Sequence, residues 1–543
     1  MTMKSLNKKM MTFFMTASVL LMAACGNGDG TDGAAEANGS ADDVSKDTLY
    51  VGVTNPMGNL SPINGSSVST RWVQRYYFDT LVEMTTPLNF EPKLADSFET
   101  TDNQHYTIQL NPDAKWTDGT PITADDVVFT FNLIAHPEVQ TTGLYLASLD
   151  GMNESGKLAS GETIPNLEAV DEHTVTFKTK VPMDPNYVKE MVGTNVFIQP
   201  KHVIEDIPYA ELDSSDAFAK PEVTSGPYTF VEYVQDSHME LAANEEYYRG
   251  APEIPSLFIR ILSGTNLATE LQTGGVTMNS GGGIGEISIS DIDMVESVEG
   301  VTLKTQPAWT AQFIYFNTEK FDQEIRLAMS HAVNRDLIVD NLMKGNADVL
   351  SGPYSPASPY NHSDLDPLAY DPEKAKEYIE QSDYDLTQPI EIMVPVGNKV
   401  REQSANLIEQ DLEAVGFVVE QVTLDFPTSL ERARAKDYDL YLGGIAVPVD
   451  PDMAVNFGTN GASNHSAISH PTIDELLEKG QAETDSTKRK EIYDELQEVL
   501  QEVAPILPLY SQHDIFAKND VLQGGIEEYW GGSLYNLHEW TLE

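Results

Sequence analysis

Histidines, a cysteine and paired carboxylates are the residues through which this chain could do chemistry, and their spacing is unpromising. His465 and His470 stand five apart, whereas two ligands on one helix face need an interval of three or four. Asp450-Pro451-Asp452 and the pair Asp364 and Asp366 would attract a hard cation, but no EF-hand spacing surrounds them. With 85 acidic residues in the chain, a pair of carboxylates is weak evidence for acid–base work. The sequence holds no G-x-S-x-G elbow, P-loop or H-E-x-x-H, and no dinucleotide glycine fingerprint set between a strand and a helix pattern. Gly281-Gly282-Gly283-Ile284-Gly285 lacks the Lys-Ser/Thr that a phosphate cradle requires, and reads as a flexible loop or a close-packed crossing. No catalytic residue, metal site or cofactor is therefore expected. A secreted hydrolase stays as the rival class, and it would have to assemble a nucleophile–base pair or a metal centre from distant segments.

Composition narrows the partners. Thirty-three Lys and Arg against 85 Asp and Glu in 543 residues give a net charge of −52. Nucleic acid is excluded, because phosphate binding runs on clustered Lys and Arg. A polybasic lipid-docking patch is equally poorly supplied. At about 150 residues per domain the length suggests three or four domains.

The N-terminus reads as an address. Lys4, Lys8 and Lys9 precede an apolar run from Met10 to Ala24, about the length of a secretory h-region and short for a membrane span. Leu21-Met22-Ala23-Ala24-Cys25 resembles a bacterial lipobox, with Met22 where Leu is usual. Residues 1–24 are expected to be a signal peptide. Cys25, the one cysteine in the chain, would carry the lipid that holds the protein on the extracytoplasmic face of the cell membrane, on a Gram-positive surface. Residues 25–47 are Gly, Asp, Ala, Ser and Asn with little to bury, a disordered acidic linker.

Beyond the linker, strand and helix patterns alternate, which makes the body mixed α/β. Thr48 to Val53 is a strand pattern, and Tyr106 to Leu110 alternates as another. Thr123 caps a helix with Asp126 at its third position, and Thr472 with Glu475 matches a capping box before Leu476-Leu477. Glu402 to Val415 places Ala405, Ile408, Leu412 and Val415 on one face and stops at Gly416. Glu491 to Val503 is a further helix before Pro505.

One run carries more information than all of these. Lys115-Trp116-Thr117-Asp118-Gly119-Thr120-Pro121-Ile122-Thr123-Ala124-Asp125-Asp126-Val127 resembles the signature of the family 5 extracellular solute-binding proteins, the oligopeptide, dipeptide and nickel receptors of ABC importers. Further phrases follow in the family's order: Glu91 to Ser97 before it, then Ser225-Gly226-Pro227-Tyr228, Asn244 to Tyr248, Phe316-Asn317-Thr318, Arg326 to Arg335, Tyr370 to Ala375, Asp437 to Leu440 and Ala504 to Leu509. The resemblance implies a two-lobed, periplasmic-binding-protein-like α/β receptor, the large three-domain variant, with its ligand cleft between the lobes. One lobe would comprise 48–89, 206–305 and 513–543, an extra domain 90–205 would pack on it, and the second lobe would run 306–512. Trp116 and Tyr228 are expected in the core. The implied function is capture of short peptides by lobe closure and delivery to ABC permease subunits, by a monomer that performs no reaction. A receptor of the same fold for a nickel chelate or other small non-peptide solute is the alternative.

In peptide-binding members the ligand pairs as an added strand. The matching segment here is Leu442-Gly443-Gly444-Ile445-Ala446-Val447, so Gly443, Gly444, Ile445, Ala446 and Val447 are candidate contacts. Peptide receptors carry Asp at the position of Val447, where it pairs with the ligand's ammonium, and often Trp at that of Gly444. A buried ammonium without a partner costs about 3–5 kcal/mol; Asp450 or Asp452 could supply the charge by reaching back, which only a changed loop path would permit. Val447-Pro448-Val449-Asp450-Pro451 looks nearer to the nickel branch, for which His465 is the tempting cleft ligand. Arg401 aligns near a position that recognises a ligand carboxylate. Asn55 ends the first strand, where open α/β sheets place ligands, and Trp309 walls the cleft or joins the core.

Overall fold

The computed structural model describes residues 47–64, 67–141, 145–153, 155–159, 162–525 and 529–543. The apolar leader, Cys25 and the linker as far as residue 46 lie outside them. None of the helices described is long and apolar enough to cross a membrane.

Thr48–Val53 forms a strand with those bounds. It pairs in parallel with Ser256–Ile261 on one side and with Met278–Asn279 on the other. His238–Ala243 and Tyr228–Val234 extend this sheet antiparallel to its edge. A second group of strands, Thr310–Phe316, Leu440–Ala446, Pro389–Pro395 and Val418–Leu424, lies side by side in that order. What joins the two groups is the 14-residue strand Ile506–Asn519. Its C-terminal half pairs with Val301–Pro307 and its N-terminal half with Thr310–Phe316. Two antiparallel strands therefore cross together from one lobe to the other. At the crossing, Ala308 N–H donates to Gln512 C=O at 3.1 Å, and the Ala308 carbonyl accepts the hydroxyls of Ser355 and Ser511.

The second lobe is built as an α/β layer stack because its strands are apolar on both faces. Ile314 and Phe316 enter one core with Ile392, Leu440 and Leu442, while Phe313 and Tyr315 enter another with Met393 and Tyr441. The first lobe shares a single core with the segment 90–205. In that segment Ala95–Thr100, His105–Leu110, Thr174–Lys178 and Glu168–Ala169 make an antiparallel sheet. The helix Ala124–Ala135 packs on it through Phe131, which meets Phe177 edge-on at 6.5 Å. Thr123 and Asp126 complete both halves of the capping box. Trp116 and Tyr228 are core residues, 2% and 0% exposed. The helix with Ala405, Ile408 and Leu412 buried runs Lys399–Ala414. One boundary differs from expectation. The helix before Leu476 spans Pro471–Ala482 with His470 as its cap, because proline is preorganised for the first helical position, and Thr472 is left inside the first turn.

The phrases that carry the family resemblance are bonded to one another. Buried Asp79 is the meeting point of three of them. It accepts Lys93 Nζ at 3.0 Å and the hydroxyls of Tyr247 and Tyr248 at 2.9 and 3.0 Å, while its own N–H donates to Ser225 Oγ at 2.8 Å. Beside it, Gly226 passes so close to Tyr77 that a Cβ would lie 2.6 Å from that residue's carbonyl carbon. In the second lobe, Arg326 donates to the carbonyls of Phe321, Val503 and Ala504 at 2.6, 2.7 and 2.9 Å. Arg335 does the same for Leu350 and Pro508 at 2.9 and 2.8 Å. These buried carbonyls have no water to turn to, and each left unpaired costs about 1–3 kcal/mol. Arg326→Met, which keeps the stem and removes the donors, is expected to destabilise the protein by about 3 kcal/mol, read as a shifted urea midpoint in circular dichroism.

Candidate functional site

Ser67 caps the helix Val68–Gln74 by accepting the Thr70 N–H at 3.0 Å. Val68, Arg71, Trp72 and Arg75 then recur at the interval that keeps residues on one helical face, and that face lines a cavity of about 340 Å³. The opposite wall comes from 90–205. A π-helical turn, Lys189–Thr194, widens the spiral so that Glu190, Thr194 and Asn195 all reach the cavity. The Thr194 hydroxyl and the Asn195 amide both donate to the Glu190 carbonyl at 2.8 Å, fixing that turn. Trp309, Val447, Pro448 and Val449 close the cavity from the second lobe, and Tyr529, Trp530 and Gly531 close it from the C-terminal segment.

The lining is aromatic and sparsely charged. Trp72 and Trp530 stack at 4.5 Å and 19°, and Trp309 meets Tyr529 edge-on at 5.8 Å. Both indole N–H groups of the stacked pair lack a partner among the described residues. Arg75 is neutralised by Glu83, donates to the Gly531 carbonyl at 2.6 Å, and is drawn down to about 10 by burial. Arg71 lies over the rings of Tyr145 and Phe197 and donates to the Asn195 carbonyl. Among the described residues, Glu190 is the single acidic residue of the lining. Burial first, and the Asp450 carboxylate second, push its carboxyl up to about 8.

Val447 and Trp309 are the two sequence candidates that reach this cavity, and they are bonded to each other, Val447 N–H to Trp309 C=O at 2.8 Å. The strand leading to Val447 pairs along its whole length on one edge, from Thr310 opposite Ala446 to Phe316 opposite Leu440. On its other edge Pro389–Pro395 meets it only at Leu440 and Tyr441. From Leu442 to Ala446 that edge has no ladder partner among the described residues. Gly444 and Ala446 on it are exposed, Ile445 is half-buried and Gly443 is buried. Arg401 stands near Gly444, its Nε and Nη2 both 3.2 Å from the amide oxygen of Gln312, the residue opposite Gly444 in register.

Three candidates lie elsewhere. Asp450 is a correction: its carboxylate does not reach back past Val447. It is held by Arg489, Nη2 to Oδ1 at 3.1 Å, and Arg489 at the same time reaches Asp184 of the 90–205 segment at 3.2 Å. Asn55 is exposed and is not part of the cavity lining, donating to the Gly283 carbonyl at 2.6 Å. It pins the glycine run, which is a close-packed crossing: a Cβ on Gly282 would fall 2.2 Å from the Trp530 indole. His465 is buried among Tyr315, Tyr441 and the second-lobe core. Burial and the nearby Lys436 and Arg434 lower its ring to about 4, and among the described residues no group of three or more His, Cys, Asp and Glu is placed to hold a metal. Sequence reasoning missed Arg71, Trp72, Arg75, Glu190 and Trp530. The helical interval of Val68, Arg71, Trp72 and Arg75 was a usable signal; Glu190 had none.

Two lobes joined by paired crossing strands, with an aromatic cavity between them, define a solute-binding protein that closes on its ligand. Residues 89–466 match the model of the bacterial extracellular solute-binding proteins, family 5, and the chain belongs to that family. It is 23% identical to the oligopeptide-binding protein AppA of Bacillus subtilis over 98% of this chain and 99% of that one. The structure of AppA with a nonapeptide superposes with a TM-score of 0.73 at 22% identity, covering 91% and 99% of the two chains. The substrate-binding protein CtaP of Listeria monocytogenes gives 0.78 at 26% identity and the same coverage. NikZ of Campylobacter jejuni, solved with Ni(L-His), gives 0.73 at 21% identity over 92% and 100%.

Gly282 has φ of +66°, a region that costs a residue with a Cβ. Gly282→Ala is therefore expected to displace Trp530 from its stack on Trp72. A shift in tryptophan emission, with a loss of ligand affinity of about tenfold or more, would mark the change.

Proposed function

We propose that this protein is the extracytoplasmic receptor of an ABC importer for short peptides, and that it performs no reaction itself. The carrying observation is the strand edge from Leu442 to Ala446, unpartnered among the described residues, with Arg401 near Gly444 at its middle and the aromatic cavity past its Ala446 end. A peptide added to that edge draws affinity from main-chain hydrogen bonds common to all sequences, so side chains can vary. At about 3.3 Å per residue the edge holds about four or five residues. Arg401 suits a ligand carboxylate as a bidentate donor, and its side-chain hydrogen-bond partner among the described residues, Gln312, is neutral. The oligopeptide-binding relative, aligned over nearly its full length, supports the same reading. His465, spent in the aromatic core, gives the nickel-chelate alternative no ligand in the cleft.

In this reading the closing bodies are 48–89 with 206–305 and 513–543, carrying 90–205, against 306–512, and the pivot is the strand crossing at Ala308 and Gln512. Lipidation at Cys25 keeps the receptor beside its permease, since two or three acyl chains anchor stably where one does not.

Protein purified from rich medium and examined by native mass spectrometry is expected to release a ladder of peptides on mild denaturation. A single metal-bearing or small non-peptide mass would transfer the assignment to the chelate class. Cys25→Ser is expected to abolish labelling by an alkynyl fatty acid and to release the protein into the medium; labelling that persists would place the lipid elsewhere.

A further inference from the structure

We propose that Glu190 is the counter-charge for the ligand's ammonium group, so that the cleft selects peptides with a free amino terminus. This rests on the peptide reading above. Among the described residues, the cavity that ends the open strand edge has one acidic side chain in its wall, Glu190, which shares that wall with Trp72, Trp309, Tyr529 and Trp530. A carboxylate set among aromatic faces is a cation site, because ring quadrupoles add attraction to the ion pair. The positive groups of the lining already have partners: Arg75 its ion pair with Glu83, Arg71 the Asn195 carbonyl and two aromatic rings.

Glu190 is also committed to the closed geometry. Its Oε2 accepts the Asp450 N–H at 3.1 Å, a bond between the 90–205 segment and the second lobe just past Val447. Behind it Asp450 and Asp184 share Arg489, and Tyr187 lies on the same side. Facing it across the cavity are Tyr529, Arg71 and Arg75. In this enclosure the carboxyl titrates at about 8, so at neutral pH the empty site holds it mostly neutral. An incoming ammonium favours the ionised form, and the proton leaves to solvent. Each ligand bound below pH 8 therefore releases about one proton, and affinity rises about tenfold per pH unit up to that point. Above it the peptide's own amine, whose ordinary value is about 7.7–8.0, loses its charge, and affinity levels and falls.

The test uses the full-length protein, random peptides of about five residues with free amino termini, and the same pool N-acetylated. The comparison is wild type against Glu190→Gln, which retains an oxygen for the Asp450 N–H. Glu190→Gln is expected to bind the free-amine pool about 100-fold more weakly and to leave binding of the acetylated pool within about threefold. Calorimetry in two buffers of different ionisation enthalpy should count one proton released by wild type and none by the variant. Equal losses on both pools, or a wild-type affinity independent of pH between 6 and 8, would overturn the assignment and leave Glu190 as a contact between lobes. Wild type that takes up neither pool would overturn the peptide reading itself, and this assignment with it.

Discussion

Two strands cross from one lobe to the other side by side, and they are hydrogen-bonded to each other as they cross. Ala308 and Gln512 hold them together where the chain bends, and the single strand Ile506–Asn519 belongs to the sheets of both lobes. Because backbone pairing continues through the joint, the lobes cannot drift apart as bodies on a loose tether would. A joint of this kind suits rotation about a line that both strands share. Every other feature of the cleft inherits its position from this joint. Trp309 is the residue after the pivot, its carbonyl receives Val447, and the open strand edge starts from there.

The chain between these points was legible to different degrees. Buried elements with regular periodicity were read to within a few residues, because a period of two or 3.6 is written into the sequence. Thr48–Val53 and the helix around Ala405, Ile408 and Leu412 are examples. The family phrases were legible for another reason: they are residues that fold against each other. Lys93, Ser225, Tyr247 and Tyr248 converge on Asp79, and Arg326 satisfies the phrase that includes Ala504. Such a network fails if one member changes alone.

The cleft was harder to read, since it gathers residues from five distant parts of the chain. Val447 and Trp309 could be picked out by their place beside a recognisable strand. Glu190 could not, because its turn owes its shape to hydrogen bonds from Thr194 and Asn195 and not to any pattern of apolar residues. Asp450 was misplaced for a related reason. On a short loop a carboxylate can be imagined turning towards a ligand, but Arg489, 39 residues further on, is buried and must have an anionic partner.

That arginine has a consequence for how the protein responds to its medium. In the proposed closure both bodies carry more Asp and Glu than Lys and Arg, so shutting the cleft would bring like charge towards like charge against their repulsion. Dissolved ions weaken that repulsion, which acts through water over about a Debye length. They have little purchase on the contact of Arg489 with Asp184, whose side chains are 4% and 2% exposed. Added salt therefore relieves the force that opens the receptor and spares the contact that shuts it, so brine is a medium in which this molecule closes more readily than in fresh water.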